Sequence, residues 1–205
     1  MSLWSAFYPS LLPHVTGCSE PMMDMALCDA AQKFFRDSRA WQQWLTAVTV
    51  ATGDREYPLP LPSGSEVLQL DAATVNGTPF DILSWRSFCA DPDDVQGENS
   101  GLTTLDRIVF TLSRELPAGT LVKIRATLVP SDDATGIPDD LFVQYGKSIA
   151  KGARAQLQAT KDKPYTDVAM AGIAQGEFLA AIGTANIQTY RGNTSSTPRL
   201  RPTWC

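Results

Sequence analysis

The stretch PDDLFVQYGKSIAKGARAQLQATKDKPYTDVAMAGIAQGEFLAAIGTANIQTY, residues 138–190, decides how this chain folds. It predicts two helices joined at Asp162-Lys163-Pro164-Tyr165. Pro138 beside Asp139 and Asp140 suits a helix start, where the fixed φ of proline is pre-organised and carboxylates meet the positive end of the dipole. The expected apolar face is Leu141, Phe142, Tyr145, Ile149 and Leu157 in the first helix. In the second it is Val168, Ile173, Phe178, Leu179, Ile182 and Ile187. Both helices are rich in small residues, among them Gly146, Gly152, Gly172, Gly176 and Gly183. A glycine inside an exposed helix costs about 1 kcal/mol relative to alanine. Small residues are worth that cost where another backbone comes close. The apolar stripes are thin for a pair that must build its own core. The pair is therefore expected to pack on the rest of the chain or on neighbouring copies of itself.

Upstream, Ser19-Glu20-Pro21 reads as a helix start with Ser19 as the cap. Met23, Leu27, Ala31, Phe34, Ser38, Trp41 and Leu45 recur at steps of three and four, which predicts one buried face over residues 19–45. Ahead of it, residues 1–18 hold Trp4, Phe7, Tyr8, Leu11, Leu12 and Val15, broken by Pro9 and Pro13, and read as an irregular segment pinned by its aromatics.

The period then changes. Residues 46–52 are β-branched and apolar, and residues 56–61 carry prolines that fit only an edge strand or connector. Asn76-Gly77 supplies the two positive φ angles of a type I′ hairpin between Val67, Leu68, Leu70 and Phe80, Ile82, Leu83. Residues 86–101 read as a solvated loop. Ile108, Phe110 and Leu112, then Val122, Ile124, Ala126 and Leu128, alternate around Pro117-Ala118-Gly119 and predict a second hairpin. No strand–helix–strand alternation occurs, so a doubly wound parallel sheet is not expected. The expected class is α+β. A helical bundle of one N-terminal and two C-terminal helices carries an inserted antiparallel β-sheet or sandwich. The segments are 1–45 (N-terminal segment and helix), 46–130 (β-domain), 131–190 (linker and helical pair) and 191–205 (an extended tail).

The charge balance is 17 Lys and Arg against 22 Asp and Glu, a net −5, which argues against wrapping nucleic acid over the whole surface. Cys18, Cys28, Cys89 and Cys205 form no CxxC pair, and no secretory signal precedes them. They are read as reduced thiols of a soluble chain made in the cytoplasm. No run approaches the roughly 18 apolar residues of a membrane span.

No catalytic, cofactor or metal site is expected. His14 is the single histidine, and with Cys18 and Cys28 it lacks the tight ligand pairs of structural zinc. A nucleophilic triad would have to use His14, which has no nucleophile elbow beside it. Asp91, Asp93, Asp94 and Glu98 do not match the ligand spacing of a calcium loop. Gly172 and Gly176 form GxxxG in a soluble helix, which points to close helix packing. The tail combines cations and aromatics of the type that anchor interfaces: Tyr190, Arg191, Arg199, Arg201 and Trp204.

These features come together in one resemblance. Residues 12–21 (LPHVTGCSEP) and Ala26-Leu27-Cys28-Asp29-Ala30-Ala31 are followed by Arg55-Glu56-Tyr57-Pro58-Leu59-Pro60 and by Val75-Asn76-Gly77. The Ala/Gly helical pair and Arg199-Leu200-Arg201-Pro202 close the chain. In this order they resemble the head–tail adaptor (connector) proteins of tailed bacteriophages, in particular those similar to tail tubular protein A of short-tailed phages. The resemblance implies a virion structural protein without a catalytic site. It implies a ring, commonly of about twelve copies, attached below the portal ring and meeting tail or nozzle proteins, with DNA passing through its channel. It also implies that the C-terminal tail reaches along the portal. Two other readings stand beside it. One is another neck or baseplate protein. The other is a β-sandwich that binds a carbohydrate or peptide, which would need an aromatic groove built from Trp85, Phe88 and Tyr57.

Overall fold

In the computed structural model of this chain, residues 1–89 and 101–192 are described. The fold is mixed α+β. In chain order it begins with β1 (Ser2–Leu3), a 3-10 turn (Trp4–Phe7), α1 (Tyr8–Leu11) and α2 (Glu20–Ser38). Next come β2 (Gln42–Trp44), β3 (Val48–Thr49), β4 (Glu56–Pro58), β5 (Ser65–Val75), β6 (Thr78–Ile82) and α3 (Trp85–Cys89). The series ends with β7 (Gly101–Thr103), β8 (Val109–Leu112), β9 (Leu121–Pro130), β10 (Gly136–Ile137), α4 (Asp139–Gln158) and α5 (Val168–Arg191). Two compact units result: Met1–Ala40 with the described chain from Thr135 onward, and Trp41–Ala134.

In the first unit, β1 pairs antiparallel with β10 and ties the N-terminus to the entry of α4. The N-terminal segment is pinned as its aromatics predict. Trp4, Phe7, Leu11 and Val15 are buried, and the Phe7 ring stands edge-on to Phe142 at 4.7 Å. α2 buries Met23, Leu27, Ala31, Phe34 and Ser38. Ser19 occupies the cap position, but its hydroxyl makes no capping bond; its carbonyl accepts from the Met22 and Met23 amides.

The helix expected over residues 19–45 stops at Ser38. Arg39 turns into the left-handed region at φ 55°, and its amide closes the last turn on the Phe35 carbonyl. Trp41 and Leu45 are buried, but in the second unit, flanking β2. Their spacing continued the helical count because buried residues on two different elements happened to fall in step.

Phe34 is the centre of the helical core. Its ring lies 5.1 Å from Tyr145 of α4, 6.1 Å from Phe178 of α5 and 5.5 Å from Phe35. α4 buries Leu141, Tyr145, Ile149 and Leu157 as its spacing predicts, with Phe142 half-buried. α5 does not follow its expectation. Of the six large residues assigned inward, only Phe178 and Ile182 are buried; Val168, Ile173, Leu179 and Ile187 are exposed. The inner stripe is Ala171, Ala174, Phe178, Ile182 and Ala185. Three alanines there let the α5 backbone lie close to its neighbours, so the contact surface is mostly small side chains. Polar bonds cross between the helices: Gln156 Nε2 donates to Asp29 Oδ2 at 2.9 Å, Asn186 Nδ2 to the Asp37 carbonyl at 3.1 Å, and Lys151 pairs with Glu177 at 2.8 Å.

In the second unit, eight strands run in the order β2-β9-β5-β6-β7-β8-β4, with β3 also on β9. The Asn76-Gly77 hairpin forms with both φ positive, at 49° and 83°. β4, with Pro58, is an edge strand. The sheet is not purely antiparallel, because β6 and β7 run parallel. The connection from Ile82 to Gly101 is long enough for such a crossover, which a short turn is not. The second hairpin is also absent. β8 pairs with β4 and β7, whereas β9 pairs with β5 on one side and β2 and β3 on the other. With both its edges taken, β9 has no ladder left for β8. Its C-terminal half is accordingly buried throughout rather than on alternate residues. Phe110, Leu112, Val122, Ile124, Ala126 and Leu128 join the core, while Ile108 stays exposed. Trp44 is partly exposed on the sheet and carries Lys123 and Arg125 over its ring at 5.6 and 5.9 Å.

Candidate functional site

The site is the outer face of α5. Asp167 caps the helix by accepting from the Met170 amide at 3.0 Å, and Gly192 ends it at φ 64°. Between these caps the inward stripe leaves the opposite side of the helix uncovered. Ala169, Gly172, Ile173, Gly176, Leu179, Ala180, Gly183, Ile187 and Tyr190 recur there at steps of three and four, all exposed. Ile173 is 56% exposed, Leu179 49%, Ile187 55% and Tyr190 78%. Glu177 is the single charged residue from Val168 to Tyr190. It faces α4, where the hydrogen bond and charge of Lys151 hold its carboxyl below the usual carboxylate range. The outer face thus carries no charge along its whole length.

The glycines separate the two helices sharply. A Cβ added at Gly152 of α4 would lie 2.7 Å from the Phe178 ring, and one at Gly146 would lie 3.0 Å from Phe142. Those glycines are explained by close packing inside the chain. A Cβ added at Gly172, Gly176 or Gly183 of α5 would meet nothing within 4 Å. Nothing among the described residues uses the space these three leave. At the N-terminal end of the face, a groove of about 600 Å³ opens among α2, α4 and α5. Ala30, Gly152, Ala155, Ala171 and Gly172 line it with Phe178, and Asp29, Lys33, Gln156 and Gln175 contribute its polar groups.

Among the described helices, α5 is also long and apolar enough by composition to cross a membrane, contrary to the expectation that no run qualifies. Its inner stripe is committed to packing against the other helices.

The expected tail residues divide. Tyr190 and Arg191 stand in the last turn of α5, both exposed. Arg199, Arg201 and Trp204 lie outside the described residues. The aromatic groove of the carbohydrate or peptide reading loses one of its three members. Tyr57 is buried, stacked on Phe110 at 5.5 Å, and its hydroxyl is engaged by the backbone of Ala51 and Asp54. Trp85 and Phe88 do stack on each other, at 5.7 Å. No three His, Cys, Asp or Glu side chains converge among the described residues.

Sequence reasoning placed the large α5 residues inward and so missed the outer face. The signal that reveals it is the absence of charge: a soluble helix normally marks its solvent side with charged residues, and this one does not. No protein-family model matches this chain, and no curated protein matches it.

Proposed function

We propose that this chain is a structural head–tail adaptor of a bacteriophage virion. Copies form a ring below the portal ring, join the capsid to the tail, and let DNA pass through the channel without sequence-specific contacts. The observation that supports this reading is the uncharged outer face of α5, with three glycines open to a neighbour. Apolar surface of this extent on a monomer marks an interaction site. Repeated side-by-side contact between different faces of identical copies closes into a ring when the rotation permits.

In this reading the α2, α4 and α5 helices are the bundle, the Trp41–Ala134 unit is the inserted β-domain, and the protein is not an enzyme. Tyr190 and Arg191, with Arg199, Arg201 and Trp204 of the tail, are the portal-binding element. The protein acts in the neck of the virion after synthesis in the host cytoplasm. Mass photometry of the purified chain, alone and mixed with portal rings, tests it. Added mass corresponding to a ring of copies on each portal is the expected result, and deleting residues 193–205 should weaken attachment while the circular dichroism of the chain is unchanged. A chain that never joins a portal ring would refute the reading.

A further inference from the structure

In the same helical unit, a second hollow collects positive charge. It holds about 230 Å³ and is lined by Ser10, His14, Lys147, Ala150, Lys151 and Arg154. Lys147, Lys151 and Arg154 fall at steps of four and three on α4, so all three stand on one helix face. Like charges at such spacing weaken a helix slightly, by a few tenths of a kcal/mol. Among the described residues, Glu177 pairs with Lys151 at 2.8 Å and also feels the charge of Arg154. Lys147 makes no ion pair or hydrogen bond among the described residues. In a chain of net charge −5, this concentration of cations is a local reversal of sign.

The two walls of the hollow are held to each other. Arg154 Nε donates to Gln158 Oε1 at 3.0 Å, and Gln158 Nε2 donates to the His14 carbonyl at 3.3 Å. Gln158 is 4% exposed, so this relay is shielded from water. It fixes the guanidinium on α4 against the loop that carries His14. Because only Nε of Arg154 is used among the described residues, the outer fork of its guanidinium is left for a ligand. The floor is the buried Ala150, which adds no bulk.

We propose that this hollow binds a phosphate group. The residues that line it, Ser10, His14, Lys147, Lys151 and Arg154, can offer a hydroxyl, an imidazole, two ammonium groups and a guanidinium fork. That is more donors than the two oxygens of a carboxylate can use, and it suits the three or four oxygens of a phosphate. The volume holds a tetrahedral anion with part of its hydration. The ligand's source is either a free phosphate or the phosphate of a nucleic acid backbone. This site does not depend on the ring assembly proposed above.

The test is an amide NMR titration of the full chain, with inorganic phosphate in one arm and a short DNA duplex in the other, each against chloride at matched ionic strength. Phosphate should shift the amides around Ser10, His14 and residues 147–154. Lys147→Ala, which removes a side chain without bonds in the fold, should weaken binding about tenfold. Glu177→Gln, which frees Lys151 from its competitor, should tighten it about threefold. Binding in the DNA arm with the same ranking of variants identifies a backbone phosphate, and binding in the inorganic arm alone identifies a free phosphate; both support the site. No shift in either arm, or equal affinity across wild type and both variants, would overturn it.

Discussion

Gly152 of α4 lies beneath the Phe178 ring of α5, so close that a Cβ there would stand 2.7 Å from a ring carbon. This contact sets how near the two helices approach. Gly152→Ala should therefore destabilise the chain by about 1–3 kcal/mol through overpacking, despite the gain of about 1 kcal/mol that alanine brings to a helix interior. Urea unfolding followed by circular dichroism measures it. A stabilised variant would mean that the ring yields easily and the contact sets nothing.

The same substitution one helix away should act with the opposite sign. Gly176 of α5 has open space where a Cβ would go. Gly176→Ala should stabilise the monomer by about 0.5–1 kcal/mol through helix propensity alone. If the glycine is there for a neighbouring copy, the same variant should assemble more weakly on the portal. Paired unfolding and mass-photometry measurements separate the two effects, and a variant that gains stability and assembles as well as wild type would remove the glycine from the interface.

Phe34 joins α2, α4 and α5 through three aromatic contacts and is fully buried. Phe34→Ala should cost about 3–5 kcal/mol. Ile173→Ala, on the outer face, should change monomer stability by no more than about 0.5 kcal/mol. Thermal unfolding of the two variants side by side checks which side of α5 holds the fold.

Titration supplies a further test at each end of the pH scale. Lys151 holds the Glu177 carboxyl below its ordinary value, so the pair contributes stability above the usual Glu range near pH ~4.3, and loses it as pH falls through the depressed value. Burial, with the bond from the Tyr8 hydroxyl to Asp24, pushes Tyr8 up to about 12. Its contribution is complete below the ordinary tyrosine value and is lost as pH rises through the shifted one. Carboxyl NMR should show Glu177 rising toward its ordinary value in Lys151→Ala, with the charge of Arg154 still acting on it. Ultraviolet titration should show the late ionisation of Tyr8 disappear in Tyr8→Phe. A Glu177 signal unmoved by Lys151→Ala would show that the pair does not form in solution.

Much of the fold could be read from local pattern. The Asn76-Gly77 turn, the edge strand at Pro58 and the inward faces of α2 and α4 each rest on residues whose chemistry acts over a few positions. What could not be read was partnership at a distance. Nothing near Leu112 or Leu121 announces that β9 takes its neighbours from β2, β3 and β5, or that β7 lies parallel to β6. α5 was misread for a related reason. Hydrophobic size suggested that Ile173 and Leu179 face inward, whereas the inward stripe is Ala171, Ala174, Phe178, Ile182 and Ala185, with the Phe178 ring seated on Gly152. The hollow beside Lys147 was equally hidden, since His14 reaches it from the far end of the sequence.

The most direct measurement of the central claim is mass photometry of portal rings mixed with wild-type chain and with an Ile173→Glu, Leu179→Glu double variant. Both positions are exposed, so the variant should fold as wild type does. Wild type should add a complete ring of copies to each portal, while the double variant should add single copies or none. A double variant that builds the same ring at the same concentration would contradict the assignment of the α5 outer face as the contact between copies.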